Sequence, residues 1–412
     1  MQYRVVLLTL VLIATAAAGF AFSSDNTTYE SRPRVTDPQV EAGGGGSVAL
    51  PDAAAAIRMN PAAYAEPGRF VLRGAGGLAI VPVELPRIGA NVVSDGMLPL
   101  PRNFASVYAP QFDENGFGFS GSGEFFVSGF NVGLGFFTDH EVFMRGSGSD
   151  GEDNGAFDEV DGFLLSEAGL AAGIAIPFSV GPLDISVGGT VRPMLRVRGE
   201  LDDADSVRRF ADGVPFNEAF SDTPVLNGFA LGIDVGVLAH YGNLAFGASV
   251  RDIGDTVVDY REHPLSEVVQ ASAEGRLPEG GDGNGTLLDP DVSYIIPMQT
   301  RIGAAYSLDW RFFKPVVFAD IHDPHRMFAS DDRNLDARGH VPAHSEGRQP
   351  LDHLSAGLDV AFLRVLSARA GVSSGGASVG LGANLGPIRL DSSLKFSEGA
   401  ASRASIGAQL RF

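Results

Sequence analysis

No cysteine occurs anywhere in the 412 residues, which excludes a disulfide framework, thiol catalysis, a thiolate metal site and an acylated lipoprotein anchor. Lysine is almost as scarce. Lys314 and Lys395 are the two present, and every other basic residue is arginine. Clusters of positive charge are missing too, and the net charge of −20 removes nucleic acid from the partners to consider. Beyond the first twenty or so residues there is no apolar run near the roughly 18 residues that a membrane helix needs. If this chain crosses a membrane, it does so as strands.

What is present begins with an export signal. Arg4 supplies a short positive region, Val5 to Ala18 an apolar one, and Gly19, Phe20 and Ala21 a small-x-small cleavage site, so residues 1–21 read as a signal peptide. Residues 22–68 read as an N-terminal extension. Its first half, to Ser47, is polar and then glycine-rich, the composition of a flexible segment. Its second half predicts one short helix, because Asp52 is a good N-cap, Ala53 to Ala56 are strong helix formers, and Pro61 stops the helix near Asn60.

From residue 69 to 412 the helical signal gives way to period-2 alternation punctuated by Gly, Pro, Asn and Asp. In the last segment Ala404, Ile406, Ala408, Leu410 and Phe412 share one face, and Arg403, Ser405, Gly407, Gln409 and Arg411 the other. Three properties favour a membrane barrel over a soluble sandwich. Several segments are longer than the usual strand of a soluble sheet and suit a tilted bilayer crossing. The polar face carries full charges, as a lumen does. Counted back from Phe412, the long connections near 324–352, 261–298, 200–225 and 139–161 all fall on one side, and the turns near 385–387, 363–365, 310–313, 241–243 and 178–182 on the other. Up-and-down topology produces that parity. The expected fold is all-β: a single transmembrane antiparallel up-and-down barrel of about 14 strands with a short N-terminal helical hatch segment.

The expected lumen is charged. Arg192, Arg196, Arg198, Arg251, Arg301, Arg369, Arg389, Arg403 and Arg411 fall on the inner face, with Asp184, Asp234, Asp309, Asp359 and Asp391. A cross-strand salt-bridge lattice and a hydrated pore both accommodate such a face. In the long connections, the apolar Phe216, Phe220, Ile295 and Ile296 predict either packing on the barrel rim or a first landing surface for a hydrophobic ligand.

Asp150, Glu152, Asn154, Asp158 and Asp161, with Gly155 between them, approximate a calcium-loop spacing, departing from it where Asp161 replaces the bidentate glutamate. Ca2+ is the one cofactor this suggests; the plainer reading is a solvated acidic loop. His322, His325, His340, His344 and His353 gather around one connection without a fixed partner. The Gly-x-Ser-x-Gly spacings at Gly371-Ser373-Gly375 and Gly376-Ser378-Gly380 have no helix following them and make no nucleophile elbow, no His-Glu-x-x-His occurs, and an enzyme is not expected.

Set before a barrel, Asp52 to Ala62, with Asn60-Pro61-Ala62 at its end, resembles the Asn-Pro-Ala segment of the FadL-type outer-membrane long-chain fatty-acid transporter superfamily. The stretches 318–323, 353–358 and 367–372 look similar to the TraF-like and PorV-like relatives of that group. The resemblance implies a barrel in the outer membrane of a diderm bacterium and a hatch carrying Asp52, Arg58, Asn60, Pro61 and Ala62. It also implies membrane lipid and the outer-membrane assembly machinery as partners, the latter reading the terminal strand and Phe412. Passive transport of hydrophobic or amphipathic small molecules follows as the expected function. The alternatives are a non-conducting structural or accessory barrel for a secretion or conjugation system, and a general hydrophilic pore. The charged inner face departs from the apolar lumen that the resemblance implies.

Overall fold

Alternation of apolar and polar residues builds one continuous wall. The computed structural model describes residues 27–30, 32–50, 55–65, 70–81, 117–147, 159–211, 214–278, 292–310, 312–324, 353–363, 365–373, 376–397 and 400–412. A three-residue strand β1 (Thr27–Tyr29) and two short helices, α1 (Pro38–Ala42) and α2 (Ala55–Arg58), precede the wall, with a 3-10 turn at Pro61–Ala65. The wall runs β2 (Val71–Val81), β3 (Phe117–Gly129), β4 (Val132–Ser147), β5 (Glu159–Val180), β6 (Leu183–Glu200), β7 (Pro224–Tyr241), β8 (Leu244–Arg251) and β9 (Thr256–Pro264). It continues with β10 (Ser293–Ile296), β11 (Gln299–Ser307), β12 (Phe313–His322), β13 (Leu354–Phe362) and β14 (Leu366–Ser373), then β15 (Gly376–Leu385), β16 (Ile388–Ser397) and β17 (Ala400–Arg411).

Neighbouring strands of the wall pair antiparallel, and β17 pairs with β2, so the sheet closes. β8 and β9 both pair with β7 and form one strand interrupted at 252–255; β10 and β11 form another, interrupted at 297–298. Counting each broken pair once and leaving out β1, the wall is a closed 14-stranded antiparallel barrel. Closure matters because a bilayer offers no water to satisfy a free strand edge.

The outer surface is the apolar row of each strand. Leu78, Phe125, Leu134, Ile174, Leu231, Val379 and Ile406 all face outward and are exposed. Replacing Ile406 by Arg puts a charge into this belt and is expected to cost ~2–4 kcal/mol of barrel stability if Ile406 sits at the bilayer midplane. A denaturant titration in lipid vesicles measures it.

The two ends differ as the parity predicts. Both Val71 and Phe412 lie at the short-turn end, where Phe130 and Asn131 take φ 53° and 66°, the pair of left-handed residues that a tight two-residue hairpin requires. At the opposite end β4 to β7 extend furthest, and α3 (Ala204–Ala211), α4 (Phe216–Ala219) and α5 (Leu265–Ala273) pack on them. Val142, Leu164 and Val225 continue the outward rows of β4, β5 and β7, yet they are buried, because Val207, Phe220, Leu265 and Val268 cover them. Asp203 caps α3 by accepting from the backbone N–H of Ser206 (3.1 Å), and the Ser206 hydroxyl holds its carboxyl below the usual range.

One expectation needs correction. The stretch up to Ser47 is not a loose tail: most of residues 30–49 that the structure describes are buried. The described part of the predicted helix is Ala55–Arg58, followed by the 3-10 turn at Pro61–Ala65, and Asp52 lies outside the described residues.

Candidate functional site

The lumen is occupied by the chain's own N-terminal segment. The described residues between 30 and 65 lie around the inside of the wall, held there by polar side chains and by close approach to glycines. Glu30 accepts from Arg198 Nη1 (2.7 Å) and from Arg196 Nη2 (3.4 Å) on β6, and from the Tyr260 hydroxyl (3.3 Å) on β9. Arg32 pairs with Asp252 and, at 3.6 Å, with Glu167 on β5. Thr36 meets Ser120 and Ser122 on β3. Asp37 caps α1 by accepting from the N–H of Gln39 and Val40, and faces Arg73 of β2 at 3.8 Å. Glu41 accepts from Arg403 Nη2 (2.9 Å) and from the hydroxyls of Ser393 (3.0 Å) and Ser405 (2.6 Å).

On the far wall the Ser47 hydroxyl and the Val48 N–H donate to the two oxygens of Asp320 on β12, at 2.9 and 2.7 Å. The circuit closes where Arg58 meets Glu124 and Asp139 on β3 and β4. Glycines let the plug come this close. A Cβ at Gly188 would collide with the Pro61 carbonyl, one at Gly247 with the Val48 carbonyl, and one at Gly236 with Asn60 Oδ1.

Asn60 is the clearest reason for the Asn-Pro-Ala sequence. Its Nδ2 donates to the carbonyls of Val48 (2.9 Å) and Val237 (3.0 Å), and its Oδ1 accepts from the N–H of Ala62 (3.1 Å). One side chain therefore ties two parts of the plug to β7. Asn60→Ala leaves two buried carbonyls without donors and is expected to cost about 1–3 kcal/mol. Limited proteolysis should then cut the plug segment faster while sparing the strands.

The wall's own charges form the lattice rather than an open hydrated face. Arg192 Nε and Nη2 donate to the two oxygens of Asp234, at 2.6 and 2.9 Å, and Nη2 also reaches Asp252 (3.0 Å). Arg196 Nη1 donates to Glu167 (3.1 Å). Arg369 bridges Asp359 (2.8 Å) and Asp391 (2.6 Å), and Arg389 joins Asp391 at 2.9 Å. Two guanidiniums, Arg192 and Arg196, are among the largest fully buried side chains of the protein. A cleft of about 30 Å3 remains among Asp37, Arg58, Arg73, Glu124, Asp391 and Gln409, room for about two water molecules.

Beside these polar contacts, the plug also meets the strands from β3 to β10 through an apolar cluster. Ile57 and Tyr64 of the plug pack with Phe126, Phe137, Met194, Tyr260, Tyr294 and Ile296 of the wall. Tyr64 and Phe126 have ring centroids 5.8 Å apart. The lumen thus has an apolar sector beside a charge-paired one.

The expected site residues distribute as follows. Arg58, Asn60, Pro61 and Ala62 lie in the plug, and Arg192, Arg196, Arg198, Arg251, Arg301, Arg369, Arg389, Arg403, Asp234, Asp359 and Asp391 face the lumen. Asp184, Asp309 and Arg411 belong to inward rows but are exposed at the short-turn rim, where Asp184 accepts from the Ser179 hydroxyl and Asp309 pairs with Lys314. Alternation assigns a face but not a depth, which is why these three looked lumenal. Phe216 and Phe220, with centroids 4.8 Å apart, pack the rim, whereas Ile296 is buried in the apolar cluster that meets the plug and Ile295 is buried on β10, paired with Tyr29 and Val257.

Of the calcium-like residues, Asp150, Glu152, Asn154 and Asp158 lie outside the described residues, and Asp161 sits on β5. No group of metal-ligating side chains occurs among the described residues. His325, His340 and His344 also lie outside them; His322 hydrogen-bonds to the Ser355 hydroxyl and His353 to the His322 carbonyl, both at 2.8 Å.

Glu30, Arg32, Thr36, Glu41 and Ser47 were not anticipated, and neither were Glu124, Asp139, Glu167, Asp252 and Asp320. A signal existed for the first group in Glu30, Arg32 and Arg34, which alternate at period 2 within a stretch of otherwise small and polar residues.

Fold and site together define a membrane-spanning β-barrel whose lumen is plugged by its own N-terminal segment. Similar solved structures include the Pseudomonas putida toluene transporter TodX, at 13% identity and TM-score 0.45, covering 93% of this chain and 98% of that one. The CymD monoaromatic hydrocarbon channel is similar at 12% identity and TM-score 0.46, with 91% and 96% covered. A FadL homologue of Pseudomonas aeruginosa is similar at 13% identity and TM-score 0.43, with 93% and 98% covered. No protein family and no characterised protein matches at the level of sequence.

Proposed function

We propose that this protein is a bacterial outer-membrane barrel that passively admits hydrophobic or amphipathic small molecules, with residues 30–65 as the hatch that must shift for passage. The observation that carries this reading is the plug's separability. Among the described residues its backbone pairs with the sheet only through β1, which runs parallel to β10 over three residue pairs, while every neighbouring pair of wall strands is laddered without it. A wall complete in its own hydrogen bonds, filled by an insert held through side chains, is suited to gating. The apolar sector around Ile57 and Tyr64 supports a hydrophobic permeant, because a ligand there replaces plug side chains of the same character.

A non-conducting accessory barrel is the second reading. It is favoured by the number of strands that tie the plug through ion pairs. A general hydrophilic pore is disfavoured by the same feature. Purified protein in liposomes separates the three. A transporter takes up a long-chain acyl probe saturably without steady ion conductance, whereas a general pore conducts ions. An accessory barrel does neither and copurifies with partner proteins.

A further inference from the structure

Three connections at the short-turn end are built from ordinary turn residues: Gly181-Pro182, Gly242-Asn243 and Gly386-Pro387, each with its glycine in the left-handed region. Two adjacent connections are not. Between β11 and β12 the chain carries Trp310 and Phe312, and between β13 and β14 it carries Leu363 and Val365. Trp310, Phe312 and Leu363 are each more than half exposed, and Leu363 takes φ 49°, a conformation that disfavours a bulky side chain. Hairpin geometry asks for none of these four apolar side chains.

The two turns form one surface. Leu363 donates its N–H to the Phe312 carbonyl (3.2 Å), and Trp310 donates to that of Phe313 (3.1 Å). Phe313 and Phe362 are cross-strand partners with ring centroids 5.1 Å apart. Both lie on the outward rows, with Val317 and Leu358 further along β12 and β13, so the surface runs without a break into the apolar belt. The charged residues of this part of the rim, Asp309 and Lys314, pair with each other on the inward rows.

The wall is also short here. β13 has 9 residues and β14 has 8, against 22 in β5. The outward row from Leu354 to Phe362 climbs only ~20 Å at the usual strand tilt, where a barrel of this kind presents an apolar band of about 25 Å. Side chains on the turns supply the missing height.

We infer that the turns carrying Trp310, Phe312, Leu363 and Val365 insert into the phospholipid interface at the short-turn end and anchor the short side of the wall there. Indole and phenyl rings suit that depth, where one end of a side chain is apolar and the other wet. The inference rests on the wall spanning a bilayer and is independent of what the lumen admits.

Trp310 is the one tryptophan of the chain, so its emission reports this surface directly. The test folds the full chain into phosphatidylcholine vesicles, with and without acyl chains brominated near the head group, and adds iodide to both faces of the membrane. Bromine should quench Trp310 strongly, and iodide should quench it several-fold less than in the urea-unfolded chain. To reach the turn tips, Trp310→Phe is combined in turn with Phe312→Trp, with Leu363→Trp and, on a polar turn, with Asn243→Trp. The Phe312→Trp and Leu363→Trp variants should be quenched by bromine and shielded from iodide, and Asn243→Trp should show the reverse.

Iodide quenching at both apolar turns as strong as in Asn243→Trp puts them in water and overturns the inference. Shielding from iodide without quenching by bromine means that protein, a second copy or another chain, covers them, and overturns it equally. Where both tip variants fail to fold, the parent's Trp310 decides by the same two quenchers.

Discussion

Removing residues 27–65 is expected to convert the barrel into a steadily conducting pore. In a planar bilayer the full chain should give little current, and the deleted chain a current larger by on the order of ten-fold or more, since a barrel of this strand number encloses an aqueous lumen once emptied. The wall should survive the deletion because its ladder closes without the plug, from β17 back to β2. Charges left behind, such as Arg196, Arg198 and Arg403, lose the plug's Glu30 and Glu41 but gain water in the same step, which avoids the cost of a dry unpaired ion. Gly236→Val is the point-substitution version. Its side chain must displace Asn60 and Pro61, and intermediate conductance should follow. A deleted chain that still folds, judged by heat-modifiable migration, yet carries no current shows that the plug is not what closes the lumen.

The second large effect concerns the wall itself. Arg192→Met leaves Asp234 and Asp252 facing one another in a buried setting without the guanidinium that joins them, and breaking a buried pair from one side costs about 3–5 kcal/mol. Asp252 also accepts from Thr256 and pairs with Arg32, so the damage reaches the interruption between β8 and β9 and the plug at once. Denaturant unfolding in vesicles should show the loss. Replacing Arg192, Asp234 and Asp252 together by Met, Asn and Asn removes all three charges and should recover much of it. If the single variant unfolds at the parent's denaturant concentration, the lattice contributes nothing to stability.

These expectations rest on features of different visibility in the sequence. The barrel was legible because each strand repeats one local rule at period 2, and because a lipid-exposed row must be apolar whatever the remainder of the chain does. Ile406, Leu410 and Phe412 obey it, and counting back from them located the long and short connections at their proper ends. The Asn-Pro-Ala segment could be singled out because of its place before the barrel, and Arg58, Asn60, Pro61 and Ala62 do lie in the lumen. Less visible was the partner of each charge. Arg196 and Arg403 could be placed on the inner face, but their carboxylates, Glu30 and Glu41, belong to a stretch that reads as loose because its polarity has no local explanation.

By itself, then, the sequence determined an alternating, closed, membrane-crossing wall, its approximate strand number and the charged character of its inside, since each follows from neighbours a few residues apart. Only the tertiary structure decided that the lumen is filled, that the described residues between 30 and 49 help to fill it, and that Phe216 and Phe220 pack the rim while Ile296 meets the plug. The reason is sequence distance. Glu30 meets Arg198 across 168 residues, Ser47 meets Asp320 across 273, and Ser405 meets Glu41 across 364. No local pattern encodes which of several inward rows a distant acid will face. That choice is made when the wall closes and the plug must satisfy every buried charge it touches.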